Sequence, residues 1–287
     1  MTKKLHIKKT YKLYIDGKFC RTESGRYMQW ISPKDNQTIN FCRASRKDFR
    51  NAVQVSRSAF NKWNSFSGYN RGQILYRIAE MLDSRKEQFI SELILQGKSK
   101  KSSKEEVEMS INRLVYYAGW SDKYQQIFSR VNPVATPYYN FSYPEPTGVV
   151  SIISPKDSHL LGFISVIAPA IVGGNTVVVL APEDNPLCAI SFSEVLHSSD
   201  VPSGVINILS GLSNELIDHF SSHMDVNAII NCGVDSKDAE LIVKNSSLNV
   251  KRAFDYSSIN WTNPDSQDPY LIMDCQEIKT TWHPIGY

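Results

Sequence analysis

The chain has almost no surplus charge: 32 Lys and Arg stand against 29 Asp and Glu, a formal +3 over 287 residues. So close a balance gives no electrostatic case for a nucleic-acid partner. Its two basic clusters, Lys3-Lys4 with Lys8-Lys9 and GKSKKSSK from Gly97 to Lys104, read as solvated faces. Long apolar runs are lacking too. The most apolar window, Leu160 to Val172, is shorter than the ~20 residues a span needs and is broken by Gly162, Ser165 and Pro169. No apolar segment follows the basic start MTKKLHIKKTYK, so it does not read as a secretory signal. Cysteine is scarce: five residues, odd in number and far apart at 20, 42, 188, 232 and 275, fit reduced thiols and no disulfide framework. These absences predict a cytoplasmic protein with no nucleic-acid and no membrane partner.

What the chain does have is periodicity. The first 45 residues read as strands and turns, with Asp16-Gly17 ending one β segment and Pro33 following another. Three amphipathic helices are predicted next. Their stripes are Phe49, Ala52, Val53, Ser56, Phe60, Trp63; then Ile74, Leu75, Ile78, Met81, Leu82, Phe89; then Val107, Ile111, Leu114, Ala118, Tyr124. The segment 131–147 holds four prolines with Tyr138, Tyr139, Phe141 and Tyr143, which excludes a helix and predicts a projecting ribbon. From Gly148 the strands VVSIIS, NTVVVLA, GVINILS and VNAIIN alternate with helices predicted over 160–172, 186–196, 215–223 and 237–245. The alternation predicts an α/β fold, a Rossmann-like parallel sheet with flanking helices. Residues 7–252 are expected to form this domain, ribbon included. Residues 253–287 read as a degenerate tail with a last strand in YLIMDCQEIKTTW.

With these segments in place, the sequence resembles the aldehyde dehydrogenase superfamily. The likeness is carried by YIDGKF, DFRNAVQVSRSAFNKW, RGQILYRIAEML, EPTGVVSIISP, APAIVGGNTVVV and DVPSGVINILSG, and it runs in order over about 11–252. SDVPSGVINILSG and the terminal KTTWHPIG are most similar to the shorter second module of family 16 proteins. The resemblance implies the N-terminal, NAD-binding half of that fold, with the catalytic domain missing. The family's nucleophilic cysteine sits in Gly-Gln-x-Cys, and none of the five cysteines here has that setting.

Further departures fall inside the matching region. The family's Pro-Trp-Asn-Phe-Pro turn is Pro155-Lys156-Asp157-Ser158-His159, which puts a carboxylate where an oxyanion donor belongs. Its Lys-Pro-x-Glu is Leu180-Ala181-Pro182-Glu183, so the cation for the adenosine ribose is absent and Glu183 remains. Its Phe-Thr-Gly-Ser-x-x-x-Gly loop keeps Gly233 but ends in Asp238, a negative charge where a pyrophosphate would approach a helix. The general-base stretch Glu-Leu-Gly-Gly aligns with Tyr256-Ser257-Ser258-Ile259, one place beyond Asp255. The resemblance therefore assigns no catalytic residue and no metal. It leaves Glu183 and Gly233 as degenerate cofactor-binding positions, with no cofactor expected, or NAD(P) if the site still works.

Other constellations read as structural. His219 and His223 share a helix spacing, but HFSSH offers neither a metalloprotease Glu nor an obvious third ligand. Gly173-Gly174-Asn175 lacks the ending of a phosphate loop, and Asp218, Asp225 and Asp238 lie on separate elements. The predicted function is a non-catalytic superfamily member with an assembly or regulatory role. Its partner would be a second copy or a full-length aldehyde dehydrogenase, bound through the 131–147 ribbon. The alternative is an NAD(P)-dependent oxidoreductase acting on aldehyde or oxo groups as part of a longer chain or complex.

Overall fold

The computed structural model describes residues 9–286; Lys3, Lys4 and Lys8, with the first two residues of the expected 7–252 domain, lie outside them. Asp16 and Gly17 take positive φ (55° and 69°), the geometry an Asp-Gly pair supplies to a tight hairpin. They join β1 (Leu13–Ile15) to β2 (Lys18–Cys20). A second hairpin pairs β3 (Tyr27–Ile31) with β4 (Thr38–Cys42). Helix α1 (Arg46–Asn64) starts at a capping box of Ser45 and Asp48 and buries most of its predicted stripe, from Phe49 to Trp63.

The second predicted helix is two. It divides at Arg85 into α2 (Gly68–Ser84) and α3 (Lys86–Leu95), because the Arg85 N–H turns back to Leu82 and the chain changes direction. Phe89 thus packs from a different axis than Leu75 and Ile78. The third also breaks: α4 (Lys100–Trp120) ends before Tyr124, which is buried from the short α5 (Tyr124–Phe128). After β5 (Arg130–Asn132) and β6 (Tyr138–Pro146) the predicted alternation begins. Its members are β7 (Val149–Ile153), α6 (Leu161–Val172), β8 (Thr176–Leu180), α7 (Leu187–His197) and β9 (Ile206–Leu209). They continue through α8 (Ser213–Ser222), β10 (Ala228–Asn231) and α9 (Ser236–Ser247).

Two expectations for the tail are overturned. Residues 252–255 form β11 (Arg252–Asp255), a further parallel strand paired with β10. YLIMD is not strand but α10 (Tyr270–Asp274), where Leu271 and Ile272 face the core at a helical step; the last strand, β12, spans Gln276–Pro284.

The main sheet runs β11-β10-β7-β8-β9-β1-β2, parallel from β11 to β9 and antiparallel beyond. Alternate residues serve opposite faces. Val149, Ile153, Val178, Leu180 and Ile229 meet Phe49 of α1 and Phe220 of α8. Val150, Ile152, Val177, Val179 and Ile230 meet α6 and α7, with α2 and α4 outside them. Such double burial explains why the strands read as unbroken apolar runs. No helix among the described residues is long and apolar enough to cross a membrane.

The 131–147 ribbon is not a free strand. β6 lies between β5 and β12 in a separate antiparallel sheet, and β12 pairs with all nine residues of β6. The returning segment is anchored by Asn175 of the Gly-Gly-Asn turn, which accepts from Gly148 N–H (2.9 Å) and donates to the Cys275 carbonyl (2.9 Å). A second anchor is Arg113 of α4, 2% exposed. It donates to Ser165 Oγ (2.8 Å) and to the carbonyls of Trp261 (3.2 Å) and Ser266 (3.1 Å). Arg113→Ala strands these acceptors beside a cavity and should lower unfolding free energy by roughly 2–4 kcal/mol. Urea denaturation checks this; a loss below 0.5 kcal/mol, about the noise of a surface change, would contradict the anchoring role.

Candidate functional site

In an open α/β sheet ligands bind beyond the C-terminal strand ends, where the strand order reverses. Here that point lies between β7 and β10. Two turns border it: Ser154–His159 after β7, and Cys232–Asp235 after β10. They touch. A Cβ on Gly233 would come within 3.1 Å of Lys156 Cγ and 3.3 Å of the Ser154 carbonyl, so a larger residue would push the two turns slightly apart. The N–H groups of Gly233 and Val234 both donate to Asn231 Oδ1 (3.2 and 3.1 Å), not outward. Asp235 caps α9 through the Asp238 N–H (2.9 Å), and Asp238 adds a second carboxylate to that first turn. An anion approaching this helix end meets two negative side chains and an inward-turned loop.

The other helix end at the switch point is occupied from within. Leu160, the residue preceding α6, has no capping side chain. Instead the Leu160 and Leu161 N–H groups donate to Glu106 Oε1 of α4 (2.9 and 3.2 Å), and Gly162 N–H to Ser158 Oγ (2.8 Å). Glu106 is buried and ion-paired with Lys98. His159, alongside, is 7% exposed and its Nδ1 has no hydrogen-bond partner. Burial, with the Lys98 charge, pushes its pKa from 6.5 down to about 4, while Glu106 and Asp157 oppose the shift.

Glu183 lies past β8, with β7 between its strand and β10. Its Oε2 accepts from Ser213 N–H (2.9 Å) and Ser213 Oγ (3.1 Å), capping α8. Leu180 is 2% exposed and belongs to the core. The structure thus keeps the two sequence-predicted positions on separate strand ends. It brings Gly233's turn instead toward Asp255, which ends β11 exposed and accepts from Ser257 N–H (2.9 Å). Tyr256 points inward, its hydroxyl donating to Asp274 Oδ2 (2.6 Å). Val234, Ser236, Ala239, Lys244, Asp255 and Ser257 line an open groove of ≈ 690 Å³ between α9 and β11. Sequence reasoning missed this groove because β11 was read as irregular.

The thiols are poor nucleophiles as placed. Burial pushes those of Cys188 and Cys232 well above the ordinary value, helped by Glu92 and Asp255 respectively, and that of Cys275 up to about 12. Cys20, half-buried, is also raised by burial. No group of three or more metal-ligating side chains exists among the described residues.

Gly233 at the switch point, the strand order and the Gly-Gly-Asn turn agree with one family, and its model, the aldehyde dehydrogenase family, matches residues 19–254. The chain belongs to this family. It is 29% identical over 259 residues to the putative aldehyde dehydrogenase DhaS of Bacillus subtilis, covering 88% of this chain and 52% of that protein. It is 30% identical over 244 residues to the D-glyceraldehyde dehydrogenase (NADP(+)) of Thermoplasma acidophilum, covering 84% and 49%. Among solved structures, PnpE of Pseudomonas sp. WBC-3 superposes with a TM-score of 0.82 at 27% identity, covering 86% of this chain and 50% of that one. PnpE is also matched in its complex with nicotinamide adenine dinucleotide. The chain therefore spans about half the length of these relatives.

His159 makes the site pH-sensitive in a definite direction. Below 6.5 the unfolded chain takes up a proton that the folded chain refuses until about 4. The contribution is complete above 6.5 and is lost as pH falls through that window. His159→Gln should flatten the fall of unfolding free energy between pH 6.5 and 4; equal slopes in variant and wild type would exclude a buried neutral His159.

Proposed function

We propose that the chain acts as a non-catalytic member of the aldehyde dehydrogenase family, in the cytoplasm, as an assembly or regulatory module. The observation that carries this reading is that both retained cofactor positions are engaged inside the chain. Glu183 caps α8 through Ser213, and Gly233 packs under Lys156. Leu180 and Asp238 stand where the family places a cation and a glycine. Four buried or half-buried thiols with raised pKa values support the same reading, as do five free cysteines in a reducing compartment. NAD(P) affinity measured by calorimetry is expected to be weaker than about millimolar, or about −4 kcal/mol. The same protein should oxidise no aldehyde above a heat-treated control. Submillimolar binding that drops in Glu183→Ala, or turnover abolished by one Cys→Ala change, would overturn the reading.

A second reading has its own support. The chain spans half the length of relatives whose names include NADP-dependent dehydrogenases, and an exposed carboxylate, Asp255, borders the open α9–β11 groove. As part of a longer chain or complex it would serve an NAD(P)-dependent oxidoreductase acting on aldehyde or oxo groups.

For assembly, the proposed surface is the β5–β6–β12 sheet, meeting a second copy or a full-length aldehyde dehydrogenase. One face has the ring ladder Tyr139–Phe141–Tyr143, with centroids 5.6 and 6.0 Å apart. The other has Tyr138 against Trp282. β12 forms a nine-residue edge with Ile278 and Trp282 more than half exposed, the kind of edge that pairs with another strand. Lysines in place of Ile278 and Trp282 should convert the assembly to monomer in light scattering with the circular dichroism unchanged. A wild-type monomer at micromolar concentration that binds no family member would refute the proposal.

A further inference from the structure

The first turns of α1 and the end of α8 converge on a cleft that neither the family site nor the arm sheet uses. Arg46 and Arg50, one helical step apart on α1, face His219 and His223, one step apart at the end of α8. With Phe49 and Ser222 these six residues line a cavity of ≈ 170 Å³. Among the described residues, neither guanidinium has an ion pair or a hydrogen bond, and the Ser222 hydroxyl has no partner. Two unpaired guanidiniums, two imidazoles and a hydroxyl beside one apolar wall form a cradle for an anion.

Among the described residues, the surrounding carboxylates leave the two arginines free, and only Asp218 comes within ion-pair distance of a lining side chain, His219. Asp48 accepts from Thr22, Ser45 and the Glu23 N–H. Glu215 is held by Arg43 and Arg26. Asp218 accepts from Asn245 (3.0 Å) and lies 3.9 Å from His219. Asp225 is exposed beyond the His223 ring, where its N–H donates to Nδ1 (3.2 Å). That bond fixes the neutral ring's proton on Nε2. The negative end of α8 is also offset, since Lys251 Nζ donates to the carbonyls of Ser221 (2.8 Å) and His223 (2.9 Å). Phe49, stacked on Phe220 with centroids 4.2 Å apart, supplies a wall with no polar group of its own. The volume is below the ~300 Å³ of pockets that take drug-sized ligands, so a small, compact anion fits and a nucleoside does not.

We propose that this cleft binds a single phosphate group, inorganic or the terminal monoester of a small molecule. The two arginines supply fixed charge, and His223 adds charge as it takes up a proton. Burial and the neighbouring Lys251, Arg50 and His219 hold His223 below its ordinary pKa, opposed by Asp225. A dianion in the cleft reverses that balance.

The test uses the full chain and proton–carbon correlation spectra of its histidine rings, titrated with inorganic phosphate and, separately, methyl phosphate. Sodium chloride at equal ionic strength is the control. Saturable shifts of His219 and His223 are expected with a dissociation constant on the order of millimolar or tighter. The His223 titration midpoint should also move upward under saturating ligand. Whichever probe binds more tightly identifies the source, free anion or ester. Arg46→Ala with Arg50→Ala, both at exposed positions, should weaken binding by about tenfold or more with the amide spectrum retained. His223→Gln, which keeps a donor, should bind with less pH dependence. Shifts that never saturate, that chloride reproduces, or that persist unchanged in the double arginine variant would overturn the proposal.

Discussion

One buried carboxylate holds the functional end of the sheet together. Helix α6 is buried along its whole length, so its first N–H groups cannot turn to water. Lacking a capping side chain at Leu160, the chain brings Glu106 across from α4 to accept two of them. Lys98, just before α4, then balances the charge. This single group fixes α4 over α6, sets the path of the turn after β7, and places His159 in the dry space behind it. A buried carboxylate without those N–H groups and Lys98 would be costly, so the elements it joins stand or fall together. It also fills the helix end at which Rossmann-type sheets receive a phosphate.

What substitution would cost at each position follows from where the residue sits. Gly233 allows two turns to touch, Asn175 joins four backbone and side-chain groups, and the β7 and β8 runs are buried on both faces. Packing alone holds such residues in place. Asp157 and Asp238 face solvent or a groove, where substitution costs the fold little. Leu180 is a different case: its side chain is 2% exposed and packs in the core. Glu183, beyond the same strand, caps α8 through Ser213.

Much of the fold is legible in the sequence for the same reason. Double-sided burial writes β7, β8, β9 and β10 as apolar runs, and Asp16-Gly17 announces its hairpin because few pairs adopt positive φ so readily. Less legible were features set by distant partners. The break at Arg85 is local backbone geometry inside a continuous stripe, and β11 is strand only because β10 lies beside it, its own RAFD being half exposed. YLIMD is apolar at every other step and also at helical steps, so periodicity could not choose; docking of Leu271 and Ile272 does. In the candidate site, Glu183 and Gly233 are visible as residues, while their partners Ser213 and Lys156 lie 30 and 77 positions away, and Glu106, which holds the start of α6, carries no motif. The Arg46–Arg50 and His219–His223 pairs could each be read as one helix face, but only the packing of α1 on α8 makes them one surface.

The arm shows how such long-range ties shape what the chain can do. The chain leaves the main sheet at β11, and after α10 β12 runs back along β6, a return fixed at several points. Arg252 donates to the Gln276 carbonyl (2.7 Å), Gln276 Nε2 donates to that of Gly173 (3.1 Å), and Thr147 N–H to that of Cys275 (3.2 Å). A side chain at Gly173 would displace the Gln276 side-chain amide from its bond to the Gly173 carbonyl. These contacts pin the base of the three-stranded sheet to the core, leaving its aromatic faces outward. A strand so held has already lost most of the backbone freedom that association would otherwise take from it, and ordering costs of that kind separate weak from tight interfaces of equal area. The contacts that stiffen this sheet join the partly exposed Arg252 and Thr147 to the buried Gln276, Cys275 and Gly173, so the direction of its outer faces is set at its base.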